Sequence, residues 1–310
     1  MTTAPYLVLS MDTGIDDALA LAYLVAAGAR IDGVSATYGN VLQQQAERNT
    51  RMLLDMLGRP DIPVAAGARH PSWAKYFVAD AGCARFHGND GLGDLQAAGA
   101  EGPAQSPAPA TAPGCVEAST GSGIVELTAA RIVFMGGTLT QEGNCYDLVC
   151  ETNVLQDPQA ADRVLRAHAD TTMVGLDVTH RCLFGDANVA QWTAAATAGS
   201  CRIASLLAGI AGFSIRANRE SDPIFAAGMP LHDPLAAAVA IDPGLVSTLD
   251  LPMIVETRTG DGSGVRGRTI GNPRGVVDNA PPVHVALGVD GDGFVRRFTD
   301  TIRGFLASIG

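Results

Sequence analysis

The sequence predicts an α/β fold, a single large domain with a mainly parallel central sheet flanked by helices. Three observations predict it. Short apolar runs alternate with longer Ala- and Leu-rich stretches along most of the chain, the rhythm of strand–helix–strand units. The chain has 310 residues, 47% of them hydrophobic and 17% charged, which is globular and sufficient to bury a large core without disulfide or metal. The alternation resumes unchanged after each irregular segment, so no domain linker is expected and residues 1–310 read as one domain.

Tyr6 to Met11 is an apolar run ending in polar and Gly residues, and reads as a buried strand. Asp16 to Ala27 reads as a helix buried on most faces. Ile31–Thr37, Ile62–Ala66, Arg131–Met135, Thr172–Val178 and Met253–Thr257 are further strands, with helices over Leu42–Leu57 and Pro158–Ala169. Residues 99–123 are rich in Pro, Ala, Gly and Ser and read as a flexible or extended loop. Residues 260–279 carry many Gly and Arg and read as a loop or hairpin. In such folds ligands sit in the loops at the C-terminal strand edge.

Charge excludes several partners. Lys+Arg total 21 against Asp+Glu 32, a net charge of −11. Nucleic acid and anionic membranes both need a basic face, so neither is expected. A nucleoside or sugar carries no phosphate and is allowed. The six cysteines form no C-x-x-C pair and read as thiols in a reducing, cytoplasmic setting. The N-terminus lacks a basic n-region, so no signal peptide is expected. No uncharged apolar run is long enough to span a bilayer.

The sharpest local feature is Met11-Asp12-Thr-Gly14-Ile-Asp16-Asp17, three carboxylates around a Gly turn at a strand-to-helix junction. One such Asp is ordinarily a helix cap. Three together repel unless a cation sits among them, and hard oxygen ligands suit Ca²⁺ or Mg²⁺. Consecutive helical residues point about 100° apart, so Asp16 and Asp17 cannot serve one point equally. One can bind a metal beside Asp12 while the other faces a neighbouring ligand. Leu231-His232-Asp233-Pro234 is the second unusual stretch. A lone His-Asp pair is ordinarily surface decoration, but here it lies between apolar residues, which argues for burial. Asp233 could complete a carboxylate cage with Asp12 and Asp17, and His232 could protonate a leaving group.

Smaller pieces carry polar groups in apolar settings: Thr37-Tyr-Gly-Asn40, His87-Gly-Asn-Asp-Gly-Leu-Gly93, Phe134-Met135-Gly-Gly137, Gly143-Asn144, Glu151-Thr-Asn153 with Asp157-Pro158, and Val174-Gly-Leu-Asp-Val-Thr-His180. Singly each reads as a turn or cap. Their order resembles the nucleoside hydrolase family, the inosine-uridine preferring nucleoside hydrolases, from Asp12 to Asp233, with a looser match at Val265-Arg-Gly-Arg-Thr.

The resemblance implies a nucleoside hydrolase-like fold and a Ca²⁺-dependent ribonucleoside hydrolase that releases ribose and a free base for purine or pyrimidine salvage. It implies Asp12, Asp17 and Asp233 as side-chain Ca²⁺ ligands, with Asp12 also taking a proton from water. Asp16 would bind the ribose 2′- and 3′-hydroxyls. Asn40, Asn144, Glu151 and Asn153 would hold the remaining sugar hydroxyls, with Met135 beneath the ring. His232 and His87 would stand near the base. Family members are commonly dimers or tetramers, so a homo-oligomer is implied.

The chain departs from the family pattern at Ser10, at Thr13 where Pro is usual, and at Thr152 where Phe is usual. The larger departure is the interval from Gly93 to Met135. It lacks the Gly-Pro-Leu-Thr-Asn turn whose Thr carbonyl is a Ca²⁺ ligand in the family, and a strand is expected to be missing there. Thr120 and Thr128 are the available stand-ins. The departure leaves open weak Ca²⁺ binding, a substitute carbonyl, or a catalytically impaired homologue that binds ribosides without turnover. An Asp-nucleophile phosphatase is disfavoured, because such enzymes need a late phosphate-binding Lys and none follows Lys75.

Overall fold

The computed structural model describes residues 6–79, 81–95, 131–145, 148–167, 170–259, 264–276 and 280–309. Strand β1 (Tyr6–Met11) leads through the acidic turn into helix α1 (Ile15–Ala26). Strand β2 (Arg30–Ala36), helix α2 (Gln43–Met56), strand β3 (Val64–Ala66) and helix α3 (Ala81–His87) follow. All but α3, which was not expected, match the elements expected for this part of the chain to within a few residues. The three strands pair in parallel in the order β1-β2-β3.

A second sheet begins at β4 (Arg131–Met135), which is followed by helices α4 (Thr152–Gln156) and α5 (Pro158–Arg166). Strand β5 (Asp170–Val174) runs parallel to β4. Its expected continuation to Val178 is corrected. The strand stops at Gly175, and Leu176–Thr179 forms a short helix, α6. A Cβ at Gly175 would lie 2.6 Å from the Gly137 carbonyl oxygen, so the chain turns here in close contact with the loop after β4. The Asp177 carboxylate holds that turn by accepting from the Leu139 and Thr140 backbone N–H groups, both at 2.8 Å.

Strand β6 (Leu183–Phe184), helix α7 (Asp186–Ala195), helix α8 (Cys201–Ser221), strand β7 (Met229–Pro230) and helix α9 (His232–Ile241) follow. The expected strand at Met253–Thr257 is longer and earlier, as β8 (Val246–Val255). Strand β9 (Thr269–Gly271) folds back on β8, the hairpin expected in this region. Strand β10 (Pro282–Val289) and helix α10 (Gly291–Ser308) complete the chain. The second sheet has the order β4-β5-β10-β8-β9. It is mixed: β10 runs parallel to β5 but antiparallel to β8.

Apolar packing joins these layers. Helix α1 is almost wholly buried, with Ile15, Ala18, Leu19, Leu21, Tyr23 and Leu24 at 1% exposure or less. An aromatic stack of Tyr23, Phe184, Trp192, Phe294 and Phe298 ties α1, α7 and α10 together. Each ring adds large buried area and edge contacts to the core. No helix among the described residues is long and apolar enough to cross a membrane.

Among the described residues β1 pairs with β2 and β4 with β5, and no strand stands between β1 and β4. A cavity of about 800 Å³ runs along both strands, from Tyr6 and Arg131 at one end to Asp12 and Met135 at the other. The Pro- and Ala-rich loop at 99–123, and with it Thr120 and Thr128, lies outside the described residues.

Candidate active site

The acidic turn is built by its neighbours. Asn49 and Thr50, buried on α2, hold the turn from below. Asn49 Nδ2 donates to the carbonyl oxygens of Thr13 and Asp90, and the Thr13 and Thr50 hydroxyls meet at 2.7 Å. Gly14 leaves the necessary space, because a Cβ there would lie 2.5 Å from His87 Nδ1 and 2.6 Å from Asn40 Nδ2. Gly39 does the same for Asp12, whose Oδ2 would be 1.9 Å from a Cβ at that position.

Within this frame the acids converge. Asp12, at the end of β1, accepts from the Asn40 backbone N–H at 2.5 Å. Asp17 is 4% exposed and accepts from the Gly14 N–H at 2.9 Å and from Asn40 Nδ2 at 3.2 Å. Asp233 stands in the first turn of α9. Asp16, Asp17 and Asp233 each present a carboxylate oxygen within 4.8 Å of the others. Asp12 and Asp17 both accept from Asn40, one from its backbone N–H and the other from its Nδ2. Burial raises the carboxyls of Asp12, Asp17 and Asp233, and the neighbouring acids raise them further, Asp17 and Asp233 well above the usual range.

His87 reaches the same cluster. Its Nδ1 accepts from the Ile15 backbone N–H at 3.1 Å, so this nitrogen carries no proton when the ring is neutral. It therefore cannot donate to Asp16 Oδ1, 3.6 Å away. Asp16 Oδ1 is buried and has no hydrogen-bond partner. An orphaned carboxylate oxygen beside two further carboxylates is what a cation or a ligand hydroxyl would satisfy. The donor set, all oxygen, fits a hard divalent ion.

The opposite wall comes from β4 and α4. Glu151 caps α4 and is 2% exposed. Its carboxylate accepts from the backbone N–H groups of Gly137, Asn153 and Val154 at 2.9 to 3.0 Å. Burial still pushes its carboxyl upward. Asn153 Nδ2 lies 3.2 Å from Met135 Sδ, which places these two side chains together at the end of β4. Asn144 stands apart on an exposed loop, where its Oδ1 accepts from the Thr152 N–H and hydroxyl. Asp12, Asp17, Asp233, Met135 and Asn153 all border the 800 Å³ cavity, as does Tyr38.

His232 opens α9 beside Asp233. Its Nδ1 lies 2.8 Å from the Thr179 hydroxyl, and its ring centroid is 5.6 Å from that of His180. Burial and the neighbouring His180 and His87 lower its pKa to about 3, so the ring is neutral at physiological pH.

The structure thus gathers Asp12, Asp16, Asp17, Asn40, His87 and Asp233 around one point, with Met135, Glu151 and Asn153 on the facing wall. Sequence reasoning missed the supports Asn49, Thr50 and Thr179. Asn49 and Thr50 were legible as polar residues on the apolar face of α2. Thr179 carried no signal beyond its place in the Val174–His180 piece.

The model for the inosine-uridine preferring nucleoside hydrolase family matches residues 7–128 and 122–296. The two stretches meet inside the interval that lacks the Gly-Pro-Leu-Thr-Asn turn. The pyrimidine-specific ribonucleoside hydrolase RihA of Klebsiella pneumoniae subsp. pneumoniae is 30% identical, covering 93% of this chain and 95% of its own. The solved purine-preferring ribonucleoside hydrolase of Gardnerella vaginalis superposes with a TM-score of 0.80 at 33% identity, covering 98% of this chain and 99% of its own. An inosine-uridine preferring enzyme of Bacillus anthracis shares the fold at a TM-score of 0.68 and 22% identity. The matched stretches span most of the chain, and the carboxylate turn and the His232–Asp233 helix start both lie within them: this protein belongs to the inosine-uridine preferring nucleoside hydrolase family.

Proposed function

We propose that the protein hydrolyses the N-glycosidic bond of ribonucleosides, with Ca²⁺ as its cofactor, to give ribose and a free base. The observation that carries this reading is the carboxylate cluster of Asp16, Asp17 and Asp233, with Asp12 beside it at the end of β1 and an unsatisfied oxygen on Asp16. Asp12, Asp17 and Asp233 would hold the cation. When bound, Ca²⁺ supplies a positive charge that orients a water molecule and makes it more acidic.

The chain's own residues do the rest. Asp16 Oδ1 accepts a ribose hydroxyl in place of the donor it lacks. Asn40, Glu151 and Asn153 hold the other hydroxyls, and Met135 supports the sugar ring. Asp12 accepts a proton as the water oxygen bonds to C1′ of the ribose. The C1′–N bond breaks with its electron pair leaving on the base. The carboxylates stabilise the positive charge that builds on the sugar. His232, with His87 nearby, acts on the departing base, which takes up one proton overall.

Pairing of two hydroxyls with buried acceptors favours ribose over deoxyribose, because the missing hydroxyl would leave a buried group unpaired. The relatives differ in base, one pyrimidine-specific and one purine-preferring, so kinship leaves the base to experiment. The test is release of reducing sugar from inosine, uridine, cytidine and adenosine, with Ca²⁺ and then with chelator. Chelator-sensitive release that is lost in Asp12→Ala supports the proposal. Folded protein that turns over none of the four at saturating Ca²⁺ refutes it.

A further inference from the structure

We infer that Arg268 is a positioning residue: its guanidinium clasps both limbs of the loop between β4 and α4, and so sets Glu151 and Asn153 against the sugar. The inference rests on the reading of these two residues as holders of a ribose hydroxyl. In that reading Asp16 takes the 2′- and 3′-hydroxyls, which leaves the 5′-hydroxyl to this wall.

The stretch Val265-Arg-Gly-Arg-Thr269 has no part in the proposed chemistry, yet its last four residues all close on this loop and on α4. The Arg266 carbonyl oxygen accepts from Cys150 Sγ at 2.7 Å. Gly267 packs on α4, where a Cβ would lie 3.0 Å from the Leu155 Cα. The Thr269 hydroxyl donates to the Thr138 carbonyl at 2.6 Å and accepts from the Thr138 N–H at 2.9 Å.

Arg268 is the bridge. The loop leaves β4 through Gly136 and returns to α4 through Glu151. Nη1 donates to the Gln141 carbonyl at 3.0 Å on the outgoing limb and to the Val149 carbonyl at 2.8 Å on the returning limb. Nη2 donates to the Leu139 carbonyl at 3.1 Å. A guanidinium holds its donors in one rigid plane, whereas an ammonium is a single point of charge on a flexible stem. The Arg268 backbone is itself fixed, because its carbonyl accepts from the Glu256 N–H at 3.0 Å just beyond β8.

The two limbs are held differently. The outgoing limb has a second anchor, the Asp177 carboxylate, which accepts from the Leu139 and Thr140 N–H groups. Two backbone bonds, from Gly143 to Leu148 and from Cys145 to Cys150, join the limbs further out. Arg268 joins the returning limb to the anchored part, two residues before Glu151. Glu151 then caps α4 and accepts from the Gly137 N–H, and Asn153 follows it onto Met135. A displacement of about 1 Å at a substrate-positioning group can cost about 10² in rate. Among the described residues, no contact of residues 266–269 reaches Asp12, Asp16, Asp17 or Asp233, so the carboxylate cluster keeps its geometry when the clasp is opened.

The experiment compares Arg268→Met, which removes the donors, with Arg268→Lys, which keeps the charge but not the fork. Each is assayed on the ribonucleoside turned over best and on its 5′-deoxy analogue. Arg268→Met is expected to lower kcat/KM on the ribonucleoside by about 10²-fold. On the analogue, which has no hydroxyl for the wall to hold, the loss stays within about threefold. Arg268→Lys shows the same selectivity with a smaller loss, and carries the test if Arg268→Met does not fold. Hydrogen exchange read by mass spectrometry needs no substrate. The Gly137, Asn153 and Val154 N–H groups, which donate to Glu151, should exchange about tenfold faster in the variants, while those of Gly14 and Asn40, which donate to Asp17 and Asp12, keep wild-type rates. Equal losses on both substrates, wild-type activity in Arg268→Met, or unchanged exchange at Gly137, Asn153 and Val154 overturns the inference. A wild type that turns over no ribonucleoside, or is indifferent to the 5′-hydroxyl, fails the reading of the wall instead, and the exchange rates then decide whether Arg268 positions Glu151 and Asn153.

Discussion

Removing the counter-charge from the acidic cluster should make the protein lose stability as pH rises. In the metal-free fold Asp17 and Asp233 have carboxyls well above the usual range, through burial and mutual repulsion with Asp12 and Asp16. A carboxyl raised in the folded state holds its proton after the unfolded chain, at about 3.9, has released it. The native state then binds more protons than the unfolded state, so stability falls with pH between those two values. The slope is about 1.36 kcal/mol per pH unit for each proton retained. Every two pH units of that range over which one such carboxyl keeps its proton cost about 2.7 kcal/mol. A cation at a hundred times its Kd contributes a similar amount in the opposite sense, about 2.7 kcal/mol. For a chain of this size that corresponds to roughly 5 °C in Tm. Thermal unfolding by circular dichroism, in chelator and in saturating Ca²⁺ across this pH range, reads both effects. The expected result is a falling Tm in chelator, a flatter profile with Ca²⁺, and loss of the Ca²⁺ effect in Asp233→Asn. A Tm in chelator that stays level or rises over this range, or a Tm indifferent to Ca²⁺, would refute the reasoning.

Three further outcomes follow from particular contacts. Gly39→Ala places a Cβ 1.9 Å from Asp12 Oδ2 and must move that carboxylate, so kcat should drop about 10²-fold in a folded protein, as steady-state assay and circular dichroism together would show. Glu151→Ala strips the acceptor from three backbone N–H groups and should cost about 3 kcal/mol in urea unfolding, with Glu151→Gln retaining part of it. His284 lies between Asp250 and Asp170, and its hydrogen bond to Asp250 raises its pKa above the ordinary value. The stabilisation is full below about pH 6.5 and is lost as pH rises through the higher folded value. With the side chain 39% exposed, solvent screening limits it to about 0.5 kcal/mol, measurable as the difference between wild type and His284→Gln in acid that vanishes in base.

Local signals carried much of the first half of the chain. The apolar run at Tyr6–Met11, the Ala- and Leu-rich α1 and the polar pattern of α2 are short-range features, and each forms nearly where expected. The stop of β5 at Gly175 was not legible, because it arises from contact with Gly137, distant in sequence. Nor was the mixed sheet, since strand direction in β8 and β10 depends on which partner each finds. Asp12, Asp17 and Asp233 stood out because clustered acids and an apolar-flanked Asp are costly without a purpose. Thr179 did not, because its work is done on a residue 53 positions away.

The sequence by itself determined the acidic turn, the alternation that places it at a strand end, and the His232–Asp233 helix start that completes the cluster. These depend on neighbours along the chain: a Gly that permits a tight turn, acids in a first helical turn, a Pro just inside a helix. Only the tertiary structure decided which oxygen of Asp16 is left unsatisfied, which nitrogen of His87 faces the backbone, and which hydroxyl meets His232. Those are properties of packing, where the partner comes from another element and its distance is set by close contacts such as Gly14 on Asn40 and Gly175 on Gly137.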